Sequence, residues 1–378
     1  MNFQALLTLM VEQKASDLFI TVGKPPCLKI DGQITEATSQ ALTAAQCAKL
    51  VRHLMTPVQI TEFDRSHECQ FALQINELGR FRVSAFSQRD QAGMVLRRIE
   101  SEIPSLASLH LPNSLTDLVM HKRGLVLLVG ATGSGKSTTL ASLIQYRNQN
   151  SKGHIITIED PIEYEHPHLG CIVTQREIGI DTDSYQIALK NTLRQAPDVI
   201  LIGEIRTAET MQQAITFAET GHLCLSTLHA NNANQALDRI LHFFPDTQHQ
   251  QILMDLSLNL RGIVAQQLIR RFNNQGRYPA IEILLNTPLI ADLIRKGDIH
   301  LLKEKIKASQ EYGMQTFDQS LFELYKLGKI TIDEALNAAD SRNDLQLMIK
   351  STADYTIRFT EDQKMSLTVE ESHYSRLR

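Results

Sequence analysis

Gly130-Ala131-Thr132-Gly133-Ser134-Gly135-Lys136-Ser137 have the residue types and spacing to bind a chain of phosphates. Glycines let successive backbone N–H groups curl around phosphate oxygens. The apolar strand Leu125 to Val129 precedes them and the helical run Thr138 to Tyr146 follows, so the loop opens onto a helix N-terminus whose dipole favours anions. In this pattern Lys136 reaches the β- and γ-phosphates and the Ser137 hydroxyl ligates Mg²⁺. Gly130 through Thr138 is therefore the expected ATP cradle. A Gly-rich turn that binds nothing would require neither the lysine and hydroxyl nor the flanking strand and helix.

Nucleotide hydrolysis also needs carboxylates for the metal and the attacking water. Val199 to Ile202 is an apolar strand that runs into Gly203-Glu204. Gly203 stands where many P-loop ATPases carry the Mg²⁺-binding aspartate, which leaves Glu204 to serve the metal and points to a base elsewhere. Ile155 to Ile158 ends in Glu159-Asp160-Pro161-Ile162-Glu163, delivering three carboxylates to the same sheet edge. Ligands of parallel α/β sheets bind at that edge. Gly221 to His229 forms a further strand with His222 and His229 at opposite ends, a spacing unsuited to a shared metal ion.

Two kinds of element must position these groups. Up to about residue 100, short strands and helices alternate as in a small α+β domain with an antiparallel sheet. Its helices are Phe3 to Glu12 and Thr43 to Leu54, the latter with Thr43 as N-cap. Its strands are Asp17 to Val22, Cys27 to Ile30 (before an Asp31-Gly32 turn), Arg80 to Phe86 and Met94 to Ile99. Ser101 to Asn113 reads as a linker, and Ser114-x-x-Asp117 signals a helix start. From Gly124 buried apolar strands alternate with helices, which predicts a mainly parallel sheet. Beyond about Pro245 the pattern predicts helices, Asp255 to Arg271 and Ile290 to Ser309 among them, and a polar tail begins near Asp344.

Composition narrows the functional classes. The chain has 378 residues, 43% hydrophobic and 21% charged, the balance of a globular protein with two or three domains. A net charge of −4 gives no encouragement to nucleic-acid binding, and no such partner is expected. Five scattered cysteines without a Cys-x-x-Cys pair, no signal-peptide pattern at the N-terminus and no long apolar run predict a reduced, cytoplasmic protein.

P-loop, acidic box (Glu159 to Glu163), Gly-Glu strand end (Gly203, Glu204) and histidine box (His222, His229), in that order, resemble the secretion-type ATPases. Within them the chain is most similar to the PilT/PilU retraction ATPases of type IV pili, from about residue 1 to residue 345, with the stretch Leu193 to Arg206 especially specific. The resemblance implies an α/β protein with a PAS-like α+β domain (1–100), linker (101–113), RecA-like ATPase core with a helical C-terminal part (114–343) and polar tail (344–378). It also implies a hexameric ring that shares ATP sites between neighbours. By position it assigns Glu163 as the base, Glu204 to Mg²⁺, His229 to the γ-phosphate side, and Arg82 and Arg97 as arginines reaching a nucleotide. Arg80, Arg89 and Arg98 lie nearby, and a solvated basic face is the plainer alternative for each arginine. The implied partners are a PilT-like ATPase and the inner-membrane pilus platform protein, where the ring would dock.

Two departures refine the resemblance. The longer N-terminal region and four-cysteine module usual in extension and type II secretion ATPases are missing, which favours retraction. The PilT-type Ala-Ile-Arg-Asn-Leu-Ile-Arg-Glu motif is replaced by Leu289-Ile290-Ala291-Asp292-Leu293-Ile294-Arg295-Lys296-Gly297-Asp298, which together with the extra C-terminal tail resembles the PilU branch. Three other readings compete: an accessory ring whose own hydrolysis is dispensable, a RecA-like motor tracking DNA, and a small-molecule kinase. The charge balance opposes the DNA motor, and a kinase would leave the acidic and histidine boxes idle.

Overall fold

The computed structural model describes residues 3–30, 32–99, 102–273 and 276–351. They form two compact units, one of Met1–Pro104 with Ile144–Gly203, the other of Ser105–Leu143 with the described residues from Glu204 onward.

The first unit begins with α1 (Phe3–Glu12), β1 (Asp17–Ile20), β2 (Cys27–Ile30) and β3 (Gln33–Glu36). Next come α2 (Ala44–His53), α3 (Pro57–Ser66), β4 (Glu68–Ile75), β5 (Gly79–Gln88) and β6 (Gln91–Arg98). Thr43 and Thr56 open α2 and α3 with reciprocal capping boxes, closed by Gln46 and Gln59. The six strands form one antiparallel sheet in the order β3-β2-β1-β6-β5-β4. The expected turn between β2 and β3 is present, with Gly32 at φ +83°, while Asp31 lies outside the described residues. Alternation along β5 sends Phe81, Val83 and Ala85 into a core shared with Leu7 and Met10 of α1 and Val51 of α2. Arg80 and Arg82 therefore point to the other face. Arg82 stands directly across from Arg97, which stands across from Asp17.

Continuing along the chain, α4 (Ser114–Met120), β7 (Gly124–Val129) and α5 (Lys136–Asn150) carry the phosphate-loop motif. Ser114 is the first helical residue of α4, preceded by Asn113 without a side-chain cap bond, so the expected capping pattern does not form. β8 (Gly153–Glu159), β9 (Cys171–Glu177), α6 (Tyr185–Thr192) and β10 (Val199–Ile202) complete the first unit. In it β10 and β9 flank β8, both in parallel.

The second unit continues with α7 (Ala208–Glu219), β11 (Leu223–Leu228), α8 (Ala233–His242), α9 (Asp246–Asn259), β12 (Leu260–Arg270) and β13 (Arg277–Leu285). Here β7 lies between parallel β11 and parallel β12, and β13 pairs antiparallel with β12. The helix expected over Asp255 to Arg271 is thus corrected: α9 stops at Asn259 and a strand replaces its second half. Leu260-Arg261-Gly262-Ile263-Val264-Ala265 is paired on both edges and buried along most of its length. A strand covered on both faces loses the apolar/polar alternation that reveals strands in sequence. Gly262 fits because a Cβ would stand 2.8 Å from the Leu284 carbonyl oxygen.

The helical end comprises α10 (Pro288–Lys296), α11 (Leu302–Ala308), α12 (Phe317–Lys326), α13 (Ile332–Ala338) and α14 (Arg342–Ser351). The single helix expected over Ile290 to Ser309 is interrupted by Gly297 at φ +80°, a C-terminal cap for α10. The first part of the expected tail forms α14, which buries Leu345, and 352–378 lie outside the described residues.

Glu282 of β13 is 2% exposed and accepts the N–H of Ala233, the first residue of α8, at 2.8 Å. Burial pushes its carboxyl up to about 7, with negative Asp340 and Asp318 adding to the rise and Lys303 opposing it. A pKa raised on folding means stability fully present below about 4.5 and lost as pH rises through about 7. Glu282→Gln keeps the acceptor and removes the ionisation. It should stabilise the chain at pH 8 by on the order of 2 kcal/mol, with the gain vanishing below about pH 4, measured by denaturant unfolding at both values.

Candidate functional site

β7 is buried at every position and hands the chain to the loop at Gly130. Gly133 and Gly135 take φ +77° and +88°, conformations that favour glycine. A Cβ at Gly130 would collide with the Ser134 hydroxyl and the Gln266 carbonyl, and one at Gly135 would come 2.7 Å from Gln266 Nε2. The loop thus rests its back on β12. Gln266, 3% exposed, donates from Nε2 to the Ser134 carbonyl at 2.8 Å and accepts from Thr139 Oγ1 at 2.8 Å. One side chain ties both the loop and the first turn of α5 to the neighbouring strand.

Lys136 Nζ donates to the carbonyls of Gly130 and Ala131 at 2.8 and 2.9 Å. Burial lowers its pKa, and the negative charge of Glu204 works against that fall. Ser137 is exposed at the start of α5, next to Thr138. The buried Ser134 hydroxyl has no hydrogen-bond partner among the described residues. Glycine backbone, orphan hydroxyl, lysine and helix start together fit a phosphate group.

Glu204 follows β10 and His229 follows β11, and the structure brings them together. His229 Nε2 lies 2.9 Å from Glu204 Oε1, and Arg206 Nη2 lies 2.7 Å from Glu204 Oε2. His222, at the far end of β11, contacts Thr220 Oγ1 and the Phe217 carbonyl instead, closing the end of α7. A cleft of 580 Å³ extends from Gly130 and Ala131 past His229 and Asn231 to Arg239 and His242. Neither Gln266 nor the Arg239–His242 face of α8 emerges from the motifs. Gln266 was hidden by the helical reading of β12, and the sequence signals for α8 are its amphipathic spacing and the capping residue Asn232.

The acidic box belongs to the other unit. Glu159 ends β8, and its Oε1 accepts from Thr157 Oγ1 at 2.6 Å and Gln175 Nε2 at 3.2 Å. Burial pushes this carboxyl up to about 7; the hydrogen bonds from Thr157, Gln175 and the Glu163 backbone pull it back, and the Glu163 charge pushes it further up. Glu163 itself is exposed. Glu159 and Glu163, in one short loop, thus occupy opposite environments, a common arrangement for dividing proton-transfer roles.

The arginines separate in the same unit. Arg97 Nε pairs with Asp17 Oδ1 at 2.8 Å although its side chain is 62% exposed. Arg82 Nη2 donates to Gln70 Oε1 at 2.9 Å. Arg80 lies 3.7 Å from the buried Glu177 at the end of β9, so it is Arg80 that links the antiparallel sheet to the β8–β9 layer. Replacing Gln266 with leucine removes both ties to the phosphate loop while keeping β12 apolar and full. The expected result is about tenfold weaker ADP binding in a fluorescence titration, with an unchanged circular-dichroism spectrum. Unaltered affinity would reduce Gln266 to packing.

Residues 2–372 match the model of the family described as Type II/IV secretion system protein. The type IV pilus ATPase PilU of Pseudomonas aeruginosa is 59% identical over 372 residues, covering 97% of each chain. The PilT protein of the same species, a type IV pilus retraction ATPase, is 38% identical and covers 90% of this chain and 98% of its own. A crystal structure of the pilus retraction motor PilT with bound ADP superposes with a TM-score of 0.86 at 38% identity, over 92% of this chain and 100% of that one. The expected fold class, a PAS-like α+β part joined to a RecA-like core with a helical C-terminal part, is the fold observed. Matched along almost its whole length, the chain belongs to the Type II/IV secretion system protein family.

Proposed function

We propose that this chain is an ATP-hydrolysing motor subunit of type IV pilus retraction and twitching motility, of the PilU kind and working with a PilT-like ATPase. The observation that carries the reading is likeness to PilU at 59% identity over nearly the full length, beside a complete phosphate loop. Likeness to PilT is lower, at 38%, which supports a separate role beside that motor.

In this reading Gly130 to Thr138 hold the nucleotide, and Lys136 exchanges its contacts with the loop carbonyls for the β- and γ-phosphates. The donor set of the Ser137 hydroxyl and Glu204 carboxylate suits a hard cation. Mg²⁺ there would neutralise phosphate charge. Glu204 already has donors on both oxygens, which favours a role one water removed from the metal. His229, tied to Glu204, would report the γ-phosphate side to that carboxylate. Glu163 orients the attacking water. Arg82 and Arg97 reach the nucleotide of a neighbouring subunit in a hexameric ring, where a guanidinium stabilises charge on the transferring phosphoryl group.

The domain assignment that goes with this function is residues 1–100, a linker at 101–113, the ATPase core at 114–343 and a tail at 344–378. No described helix is long and apolar enough to cross a membrane. In this reading the ring works in the cytoplasm, docked on the inner-membrane platform protein of the pilus machine.

A second reading is an accessory ring that binds nucleotide while a partner supplies force. It is favoured by the PilU-type segment in α10, where Asp292 pairs with Arg295 and Lys296 within the helix. Steady-state hydrolysis by the purified ring tests the motor reading. Glu163→Gln should lower kcat by about a hundredfold or more, with the ring intact by light scattering. No turnover in an intact, ATP-binding ring would select the accessory reading. Arg97→Ala and Arg82→Ala should each lower kcat by about tenfold or more in an intact ring, and an unchanged rate would remove the arginines from the site.

A further inference from the structure

Gln175 of β9 lies opposite Thr157 of β8 in parallel register. Glu159, two residues along from Thr157, shares that sheet face. From this position Gln175 makes three bonds. Its Nε2 donates to Glu159 Oε1 at 3.2 Å and to the Tyr164 carbonyl at 2.9 Å, while its Oε1 accepts the His166 N–H at 2.7 Å. The partners settle the orientation of the amide, because flipping it would set donor against donor at His166 and acceptor against acceptor at Tyr164.

The loop that carries Glu163 leaves β8 at Glu159 and is caught again at Tyr164 and His166. Inside that stretch the Glu163 carboxylate is left exposed. We propose that Gln175 is a positioning residue for hydrolysis, holding the 160–166 loop in the shape that places Glu163. The proposal rests on Glu163 being the residue that orients water. Glutamine suits the task chemically: it offers two donors and an acceptor, without charge, at the required reach. Glutamate would lose both donations and set a second carboxylate against Glu159, whereas methionine keeps the length and volume but forms none of the three bonds.

Gln175→Met in the full chain, measured with and without Glu163→Gln, provides the test. Alone it should lower kcat by about a hundredfold while the KM for ATP and ADP affinity change less than about twofold, as expected when a reacting group is misplaced. Added to Glu163→Gln, it should cost nothing further, because the misplaced group is already gone. Losses that multiply would overturn the proposal, as would a rise in KM without a fall in kcat. Amide hydrogen exchange gives a reading independent of the base. The His166 N–H should exchange faster in Gln175→Met, and unchanged exchange sinks the clamp whatever Glu163 does. Faster exchange together with full activity in Glu163→Gln would support the clamp and remove only the base assignment.

Discussion

Backbone must come unusually close to backbone around the phosphate loop, and much of the second unit follows from that. Gly130 lies against the carbonyl of Gln266 and Gly135 against its amide, distances no side chain at either position would permit. The approach requires β12 to run beside β7, with Gln266 turned toward the loop and bonded at both ends, to Ser134 and Thr139. A buried amide with both ends satisfied costs little to desolvate and holds two elements at a set spacing. The loop is shaped as much by a strand far along the chain as by its own glycines.

Charge management follows a second pattern. Carboxylates at the strand ends each acquire a distinct environment: Glu204 is pinned between His229 and Arg206, Glu159 is partly buried and bonded, and Glu163 is left in solvent. Within one acidic stretch, burial disfavours the charged form of Glu159 while Glu163 stays in contact with water. The antiparallel sheet treats arginines similarly. Asp17 and Gln70 hold Arg97 and Arg82 side by side on one face, and Arg80 is spent on Glu177. Adjacent guanidinium groups repel, and the anchoring acceptors keep them oriented at lower cost than free side chains would allow.

Local signals were legible wherever the chemistry was local. Thr43 and Gln46 announce α2, the alternation from Arg80 to Phe86 announces β5, and the phosphate loop is readable because its pattern needs a strand, glycines, a lysine and a helix in one contiguous piece. α3, β3 and β4 escaped, since exposed four-residue strands such as Gln33–Glu36 carry no apolar period and Pro57 reads as a turn although it is a good first helical residue. The Gly-Glu segment and the histidine box could be named as strand ends, but not the Glu204–His229 bond that joins them.

By itself the sequence determined which groups can bind phosphate, which strand ends carry carboxylates, and that apolar segments are long enough for two cores, because these depend on neighbours within a few residues. Only the tertiary structure decided that Leu260 to Arg270 is a strand, that Gln266 supports the phosphate loop, that Gln175 clamps the loop bearing Glu163, and that Arg80 rather than Arg82 or Arg97 meets Glu177. The physical reason is that a central strand's pairing, and a buried side chain's hydrogen-bond partners, come from residues distant in sequence. Local periodicity carries no record of them.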